Sequence, residues 1–418
     1  MGRSTATILI RGARQLLTLR GSHAPRRGSE LNQLNIIPDG SLLIRDGVLL
    51  EVGPTRRVEN LAAAHHAIEI SAAGRVVMPG FVDSHTHLLF PAPGPPGGDF
   101  DSQVRTMHAT TAAQLKMRAR VYLQAMARHG TTTVEVKTGT GADPGAEMKI
   151  LRVLADLKEE PLDIVPSFLF RAPPSISEPE QNFIAIWRWV CHDFLPTIRR
   201  RQLVHFADLV WDPFLAHEEA FAGYLQVARS LALGCKLHAE AVDTSAAISA
   251  TAGFRLTSID HLEHATANDA EALSRSNTIA TLLPCASFYG GVPYAPGRVL
   301  MDSGVPVALA TDFNAQQSPA LSMQTALALA CQQMGFSPAE AISAATINGA
   351  YALDCADRIG SLEQGKSADL LLLNVSDYRE MGHSLGTNLV HMVMKRGQVI
   401  YEEGQVGVRP TEDLQPAW

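Results

Sequence analysis

The 418-residue chain contains no apolar run near the ~18 residues a membrane helix needs. Its longest, around Leu370–Leu373 and Val305–Ala310, are strand-sized. The opening Met1-Gly2-Arg3-Ser4 lacks the continuous apolar stretch of a secretory signal, and Ala6 stands where a myristoylation signal requires Ser or Thr. Cysteine is sparse. Cys191, Cys235, Cys285, Cys331 and Cys355 are scattered and never form C-x-x-C, which argues against a disulfide framework or a thiolate zinc site and fits a cytoplasmic, reducing location. There is also no basic excess: Lys+Arg 35 stand against Asp+Glu 42, and the longest basic block is Arg199–Arg201. Nucleic acid and membrane are therefore not expected partners. A small-molecule substrate is expected, and the composition admits a homodimer.

What is present is a large core, with 46% hydrophobic and 18% charged residues. Eight short β-rich runs alternate with helix-period stretches: Val76–His87, Thr131–Lys137, Asp163–Phe170, Phe206–Trp211, Cys235–Glu240, Thr257–His261, Thr278–Pro284 and Pro306–Asp312. The helical stretches between them include Thr111–His129, Ala146–Lys158, Phe183–Arg200 and Glu218–Leu233. Eight β-α repeats predict an α/β fold, a TIM-like (β/α)8 barrel, ahead of an open doubly wound sheet. No G-x-G-x-x-G follows a strand, which weakens the open alternative. The flanks differ. Residues 6–12, Ser41–Arg45, Val48–Gly53, Ala368–Val375 and Val390–Tyr401 read as strands, with turns at Asp46-Gly47 and Arg396-Gly397. Neither flank can bury a core alone, so residues 1–74 and 360–418 are expected to form one small composite β-domain around a barrel at 75–359. Residues 21–36 and Pro91–Gly98 read as loops.

The strongest chemical signal is Gly80-Phe-Val-Asp-Ser-His85-Thr-His87. Side chains two apart on a strand share a face, so both imidazoles would point into the barrel mouth. His238, His261 and Asp312 end the fifth, sixth and eighth strands, where barrel active sites are built. Imidazoles with a carboxylate suit zinc or iron, and the carboxylate and barrel-mouth position disfavour a closed structural site.

These residues resemble the amidohydrolase superfamily, which carries H-x-H on strand one, His on strands five and six, and Asp on strand eight. Gly360-Ser-Leu-Glu-Gln-Gly-Lys-Ser-Ala-Asp369 is similar to its composite β-domain. Val134-Glu-Val-Lys-Thr-Gly139 and Thr311-Asp-Phe-Asn314 narrow the resemblance to the imidazolonepropionase branch. The two-metal members of the superfamily use a lysine on strand four, and Phe206–Trp211 has none. The resemblance therefore implies one divalent ion, zinc before iron, held by His85, His87, His238 and Asp312. It also implies that His261 is a base beside the ion and that Asp312 serves as ligand and proton shuttle in hydrolysis of a C–N bond of a small cyclic amide or related heterocycle. An aminohydrolase releasing ammonia from a heterocycle is the alternative, and a metal-free binding protein on the same scaffold is the remaining one.

The substrate side departs from that branch. The Arg that follows H-T-H-L is replaced by Pro91–Gly98, Ser-Gly-Tyr-Gly becomes Thr138-Gly-Thr-Gly141, and the His after strand three gives way to Phe170-Arg171. Asn314, Lys137, Glu240, Tyr289, Arg105 and Arg171 are the expected substrate contacts, with Phe288 beside Tyr289 as a further wall. Imidazolone propionate is expected to be a poor substrate, or one that depends on Arg105 or Arg171.

Overall fold

In the computed structural model, the described residues are 7–90, 100–139, 143–157, 160–171, 185–211, 218–239, 244–251 and 253–404. The N-terminal segment supplies β1 (Ile8–Leu17), β2 (Ile36–Arg45), β3 (Val48–Pro54), β4 (Ile68–Ser71) and β5 (Val76–Pro79). The central segment supplies eight short strands: β6 (Phe81–Asp83), β7 (Thr131–Lys137), β8 (Asp163–Phe170), β9 (Phe206–Val210), β10 (Gly234–Ala239), β11 (Ser258–His261), β12 (Ile279–Leu282) and β13 (Val307–Leu309). The chain ends with β14 (Leu370–Leu373), β15 (Val390–Lys395) and β16 (Gln398–Glu402).

β6 to β13 pair in sequence order, every pair parallel. The two ends of this sheet meet just past β6 and β13, where Thr86 bridges Phe313. There the Asp312 N–H donates to the His85 carbonyl (3.1 Å) and the His87 N–H to the Phe313 carbonyl (2.7 Å). Asp83 ties the same seam from below, accepting from the Thr311 N–H (3.0 Å) and hydroxyl (2.6 Å). Strands buried on both faces are what a closed parallel sheet demands, and all seven residues of β7 are buried.

The other sheet joins both chain ends in the order β16-β15-β14-β5-β1-β2-β3, with β4 also on β1. Its centre is the antiparallel pair β14–β5, where the fully buried Leu370–Leu373 run faces Val76–Pro79. The expected strand Val76–His87 is thus divided: its first four residues belong to this sheet although they fall inside the expected barrel range. Gly80 makes the turn, and a Cβ there would stand 2.3 Å from Thr132 Oγ1 and Cγ2. Residues 21–36, expected to be irregular throughout, contain a short 3-10 helix at Gly28–Asn32, with β2 beginning at Ile36. The helices at Ala112–Arg128, Pro144–Asp156 and Glu218–Ser230 lie within two or three residues of the expected boundaries. No helix among the described residues is long and apolar enough to cross a membrane.

Candidate active site

The seam gathers the chemistry. His85 and His87 follow β6, His238 lies in β10, His261 ends β11 and Asp312 follows β13. The His85 ring centroid is 4.5 Å from that of His238, 5.3 Å from His87 and 5.5 Å from His261, and His238 and His261 are also 5.5 Å apart. Asp312 Oδ1 lies 3.4 Å from His85 Nε2 and 3.6 Å from His87 Nε2. Donor atoms of His85, His238 and His261 fall within 4.8 Å of one another, and so do those of His85, His87 and Asp312. All five residues singled out as ligands or base therefore converge around His85.

Local backbone geometry aims two of them. His261 and Leu262 both have positive φ, 82° and 68°, and Asp312 has φ 50°. Non-glycine residues seldom adopt this region, and such conformations persist where surrounding contacts over-determine them. The Leu262 side chain is fully buried and the seam hydrogen bond fixes Asp312.

The donor set suits a divalent ion. Nε2 of His85 and of His238 are buried and make no hydrogen bond, an arrangement that calls for an explanation in a folded interior. Burial, with Lys137 and His238 nearby, holds His85 well below the usual imidazole range, so the ring is neutral and can ligate. Burial also pushes the Asp83 carboxyl up to about 7, against its hydrogen bonds from Thr311.

Lys137 is not a pocket wall. Its fully buried ammonium lies beneath the histidines, 2.6 Å from Asp208 Oδ2, 3.1 Å from Asp260 Oδ2 and 3.2 Å from Glu135 Oε2. Burial alone would depress this amine, but the three carboxylates outweigh it and the pKa ends above the ordinary lysine range. The side chain is too deep to touch a substrate at the mouth. Strand alternation is the reason: Glu135 and Lys137 both point into the barrel interior.

A cavity of about 670 Å³ opens above the cluster, lined by His87, His261, Asp312, Asn314, Arg171 and Phe90 among others. Of the expected substrate contacts, Arg171 and Asn314 line this cavity. The Asn314 Oδ1 accepts from the Gln316 and Gln317 N–H groups (3.3 and 2.6 Å), and its amide nitrogen donates one N–H to the Asp312 carbonyl (3.4 Å). Tyr289 and Phe288 are half exposed on the helix Pro284–Gly290 and are not among the residues lining this cavity, to which that helix contributes Ala286 and Gly290. Arg105 is exposed on the helix Phe100–Ala109 and is not among the residues that line the cavity, although Gln103 of the same helix is. Glu240 lies outside the described residues, as do Pro91–Gly98 and Thr140-Gly141.

Several residues escaped the sequence reading. Glu263 lines the cavity and its Oε1 lies 3.3 Å from His261 Nδ1. His264 and Gln103 also line it. Asp260 and Asp208 approach His85 Nδ1 (2.8 Å) and His238 Nδ1 (3.0 Å). For the strand residues the available signal was the period-two recurrence of polar side chains inside otherwise apolar strands: Glu135-x-Lys137, Lys236-x-His238 and Ser258-x-Asp260.

A parallel barrel with imidazoles and a carboxylate gathered at its strand ends, flanked by a sheet from both chain termini, defines the amidohydrolase class of architecture. The sequence profile of the amidohydrolase family matches residues 76–400, and the chain belongs to that family. It is 36% identical to an imidazolonepropionase of Parabacteroides distasonis, over 94% of this chain and 98% of the relative. It is likewise 36% identical to one from Deinococcus radiodurans, over 93% and 98%. Among solved structures it is similar to the zinc-bound atrazine chlorohydrolase of Arthrobacter aurescens (TM-score 0.71, 18% identity, 94% of this chain and 95% of the other). It is also similar to the Escherichia coli guanine deaminase (TM-score 0.69, 17% identity, 96% and 100%). At that identity these two likenesses concern the fold alone.

Proposed function

We propose that this chain is a metal-dependent hydrolase that opens the ring C–N bond of a small cyclic amide, in the manner of the imidazolonepropionases it resembles over nearly its full length. The observation that carries the reading is the convergence of His85, His87, His238, His261 and Asp312 at the barrel seam, under a cavity of small-molecule size. His85, His87, His238 and Asp312 would hold one divalent ion, with zinc proposed. Such an ion supplies Lewis acidity, bringing the ionisation of a water it touches towards neutral pH.

The chain's own groups do the rest. Asp312 sits where it can take a proton from the attacking water and pass it to the leaving ring nitrogen. His261, whose Nδ1 faces the Glu263 carboxylate, keeps its other nitrogen bare as a base for a proton of the attacking water, and the imidazolium so formed stabilises the charge that grows on the attacked carbon's oxygen. The Asn314 amide nitrogen donates to a ring carbonyl. Arg171, from the end of β8, offers a guanidinium fork to a carboxylate on the substrate. That placement supplies the anionic clamp whose usual position is taken by Pro91–Gly98.

An aminohydrolase is the second reading, and no observation in this site favours it. All five cysteines are free thiols, four of them buried, which supports a reducing, cytoplasmic setting. The reading is tested by following ring absorbance and ammonia together over a panel of imidazolones and hydantoins. Ring opening without ammonia supports it, and ammonia release with the ring intact favours the deaminase.

A further inference from the structure

Beneath the histidines, the barrel interior holds a closed group of charges that the hydrolysis just described does not use. Glu135 and Lys137 alternate on β7, Lys236 stands two before His238 on β10, and Asp208 and Asp260 enter from β9 and β11. All five are fully buried. Lys236 Nζ holds Glu135 Oε2 at 2.8 Å, the same oxygen that Lys137 approaches. Asp208 and Asp260 each have two tasks. Their Oδ2 atoms take the Lys137 ammonium, at 2.6 and 3.1 Å. The same Oδ2 atoms face His238 Nδ1 at 3.0 Å and His85 Nδ1 at 2.8 Å. An ionised carboxylate can only accept, so His85 Nδ1, hydrogen-bonded to Asp260, must carry the proton and its Nε2 must be bare; Asp208 favours the same tautomer of His238 by its charge. Nε2 of His85 and both ring nitrogens of His238 are buried and make no hydrogen bond, so His238 Nδ1 meets Asp208 as a close charged contact only.

We propose that Lys137 is a positioning residue for the metal centre: one ammonium, shared by Asp208 and Asp260, fixes the tautomer and ring orientation of His85 and His238 together. This rests on the ligand set proposed above. Carboxylates behind ligating histidines are a general device for orienting them. The feature particular to this chain is that two such carboxylates, from different strands, are locked by a single cation from a third. Without it, two like charges would face each other in a dry interior with no cation against their Oδ2 atoms, held through Oδ1 alone by the Leu209 N–H (2.8 Å) and the Ser258 hydroxyl (2.7 Å). A lysine serving stability alone would affect folding and leave ion affinity unchanged.

The test uses the full-length protein stripped of metal, with Zn²⁺ added back in competition with a chromophoric chelator. The variants are Lys137→Met, Asp260→Asn, the charge-balanced pair Lys137→Met with Asp208→Asn, and His85→Ala as a control on the ligand set. Imidazole ¹⁵N NMR of the metal-free protein reads the tautomers, and melting curves read folding. The expected result is a ~10–100-fold rise in Zn²⁺ Kd for Lys137→Met, for Asp260→Asn and for the balanced pair. His85 and His238 should shift from a single Nδ1–H form to a mixture. Should Lys137→Met fail to fold, the balanced pair and Asp260→Asn decide. Folded variants with wild-type affinity and unchanged tautomers overturn the positioning role alone, provided His85→Ala still loses zinc. Equal Zn²⁺ binding by the wild type and His85→Ala overturns the ligand set and this proposal with it.

Discussion

The backbone N–H of Asp312 donates to the carbonyl oxygen of His85 at 3.1 Å, joining the segment just past the last barrel strand to the segment just past the first. Both residues belong to the proposed metal centre, so the contact that closes the barrel also holds two of its proposed ligands together. An ion held across this seam should stabilise the closed form by mass action. With free Zn²⁺ at about 100 times its Kd, the gain is ~2.7 kcal/mol. Calorimetry of the chelated protein should show a lower Tm that one equivalent of zinc restores. A Tm indifferent to chelation and to zinc would place no ion at the seam.

His261 and His85 should respond differently to substitution. His261→Asn is expected to keep its zinc while kcat falls by ~10²–10⁴, the range for an acid–base group. His85→Ala should lose both. Elemental analysis beside turnover separates the two, and parallel loss of metal in His261→Asn would make His261 a ligand.

Arg171 lines the cavity and Arg105 does not. Arg171→Ala should therefore lower kcat/KM for a carboxylate-bearing cyclic amide by ~10–100-fold, the worth of one charge-assisted pair at about 1.4 kcal/mol per tenfold. Arg105→Ala should leave kcat/KM within a factor of two. The reverse ranking would move the anionic clamp to the Phe100–Ala109 helix.

Gly80 separates the two sheets with no room for a methyl group, since its Cβ would meet Thr132 at 2.3 Å. Gly80→Ala should cost ~1–3 kcal/mol by overpacking. Adding Thr132→Ala should recover part of that loss, a coupling readable in a denaturation double-mutant cycle. Strict additivity would mean that the strain lies elsewhere.

Burial pushes the Cys331 and Cys235 thiols up to about 11, and Cys191 and Cys355 up to about 12. Native protein at pH 8 should thus react slowly with a thiolate-seeking disulfide reagent, Cys331 first because it alone is partly exposed. All five thiols should titrate after unfolding. The sign for stability follows. Above the ordinary thiol value of 9.0 the unfolded chain gives up protons that the folded chain keeps, so stability should fall as pH rises from about 9 towards 11 and 12.

Much of the barrel was legible because each of its strands is a short apolar run bounded by helical periodicity. Thr131–Lys137 and Asp163–Phe170 fall on β7 and β8 residue for residue. The first strand was misread for a physical reason: Val76–Pro79 and Phe81–Asp83 are both buried and apolar, and only the crowding at Gly80 marks the change of sheet. The H-x-H pair and the strand-end His and Asp were legible because strand alternation and barrel topology together bring them to one mouth. Lys137 was not. Its alternation with Glu135 placed it inside the barrel, but whether an inward lysine meets substrate or carboxylates depends on Asp208 and Asp260 of other strands. Tyr289 and Phe288 were misplaced because the chain turns into the helix Pro284–Gly290 directly after β12. Glu263 follows a pair of positive-φ residues, a turn that no residue type there announces, since neither His261 nor Leu262 is a glycine.

The most direct measurement is turnover of a panel of cyclic amides by protein first stripped of metal and then titrated with zinc. Ring opening should be absent in the stripped protein, rise linearly to a plateau at one zinc per chain, and proceed without release of ammonia. Ring opening that is undiminished by chelation, or a plateau reached only at two ions per chain, would contradict a hydrolase built on one ion at the seam of His85, His87, His238 and Asp312.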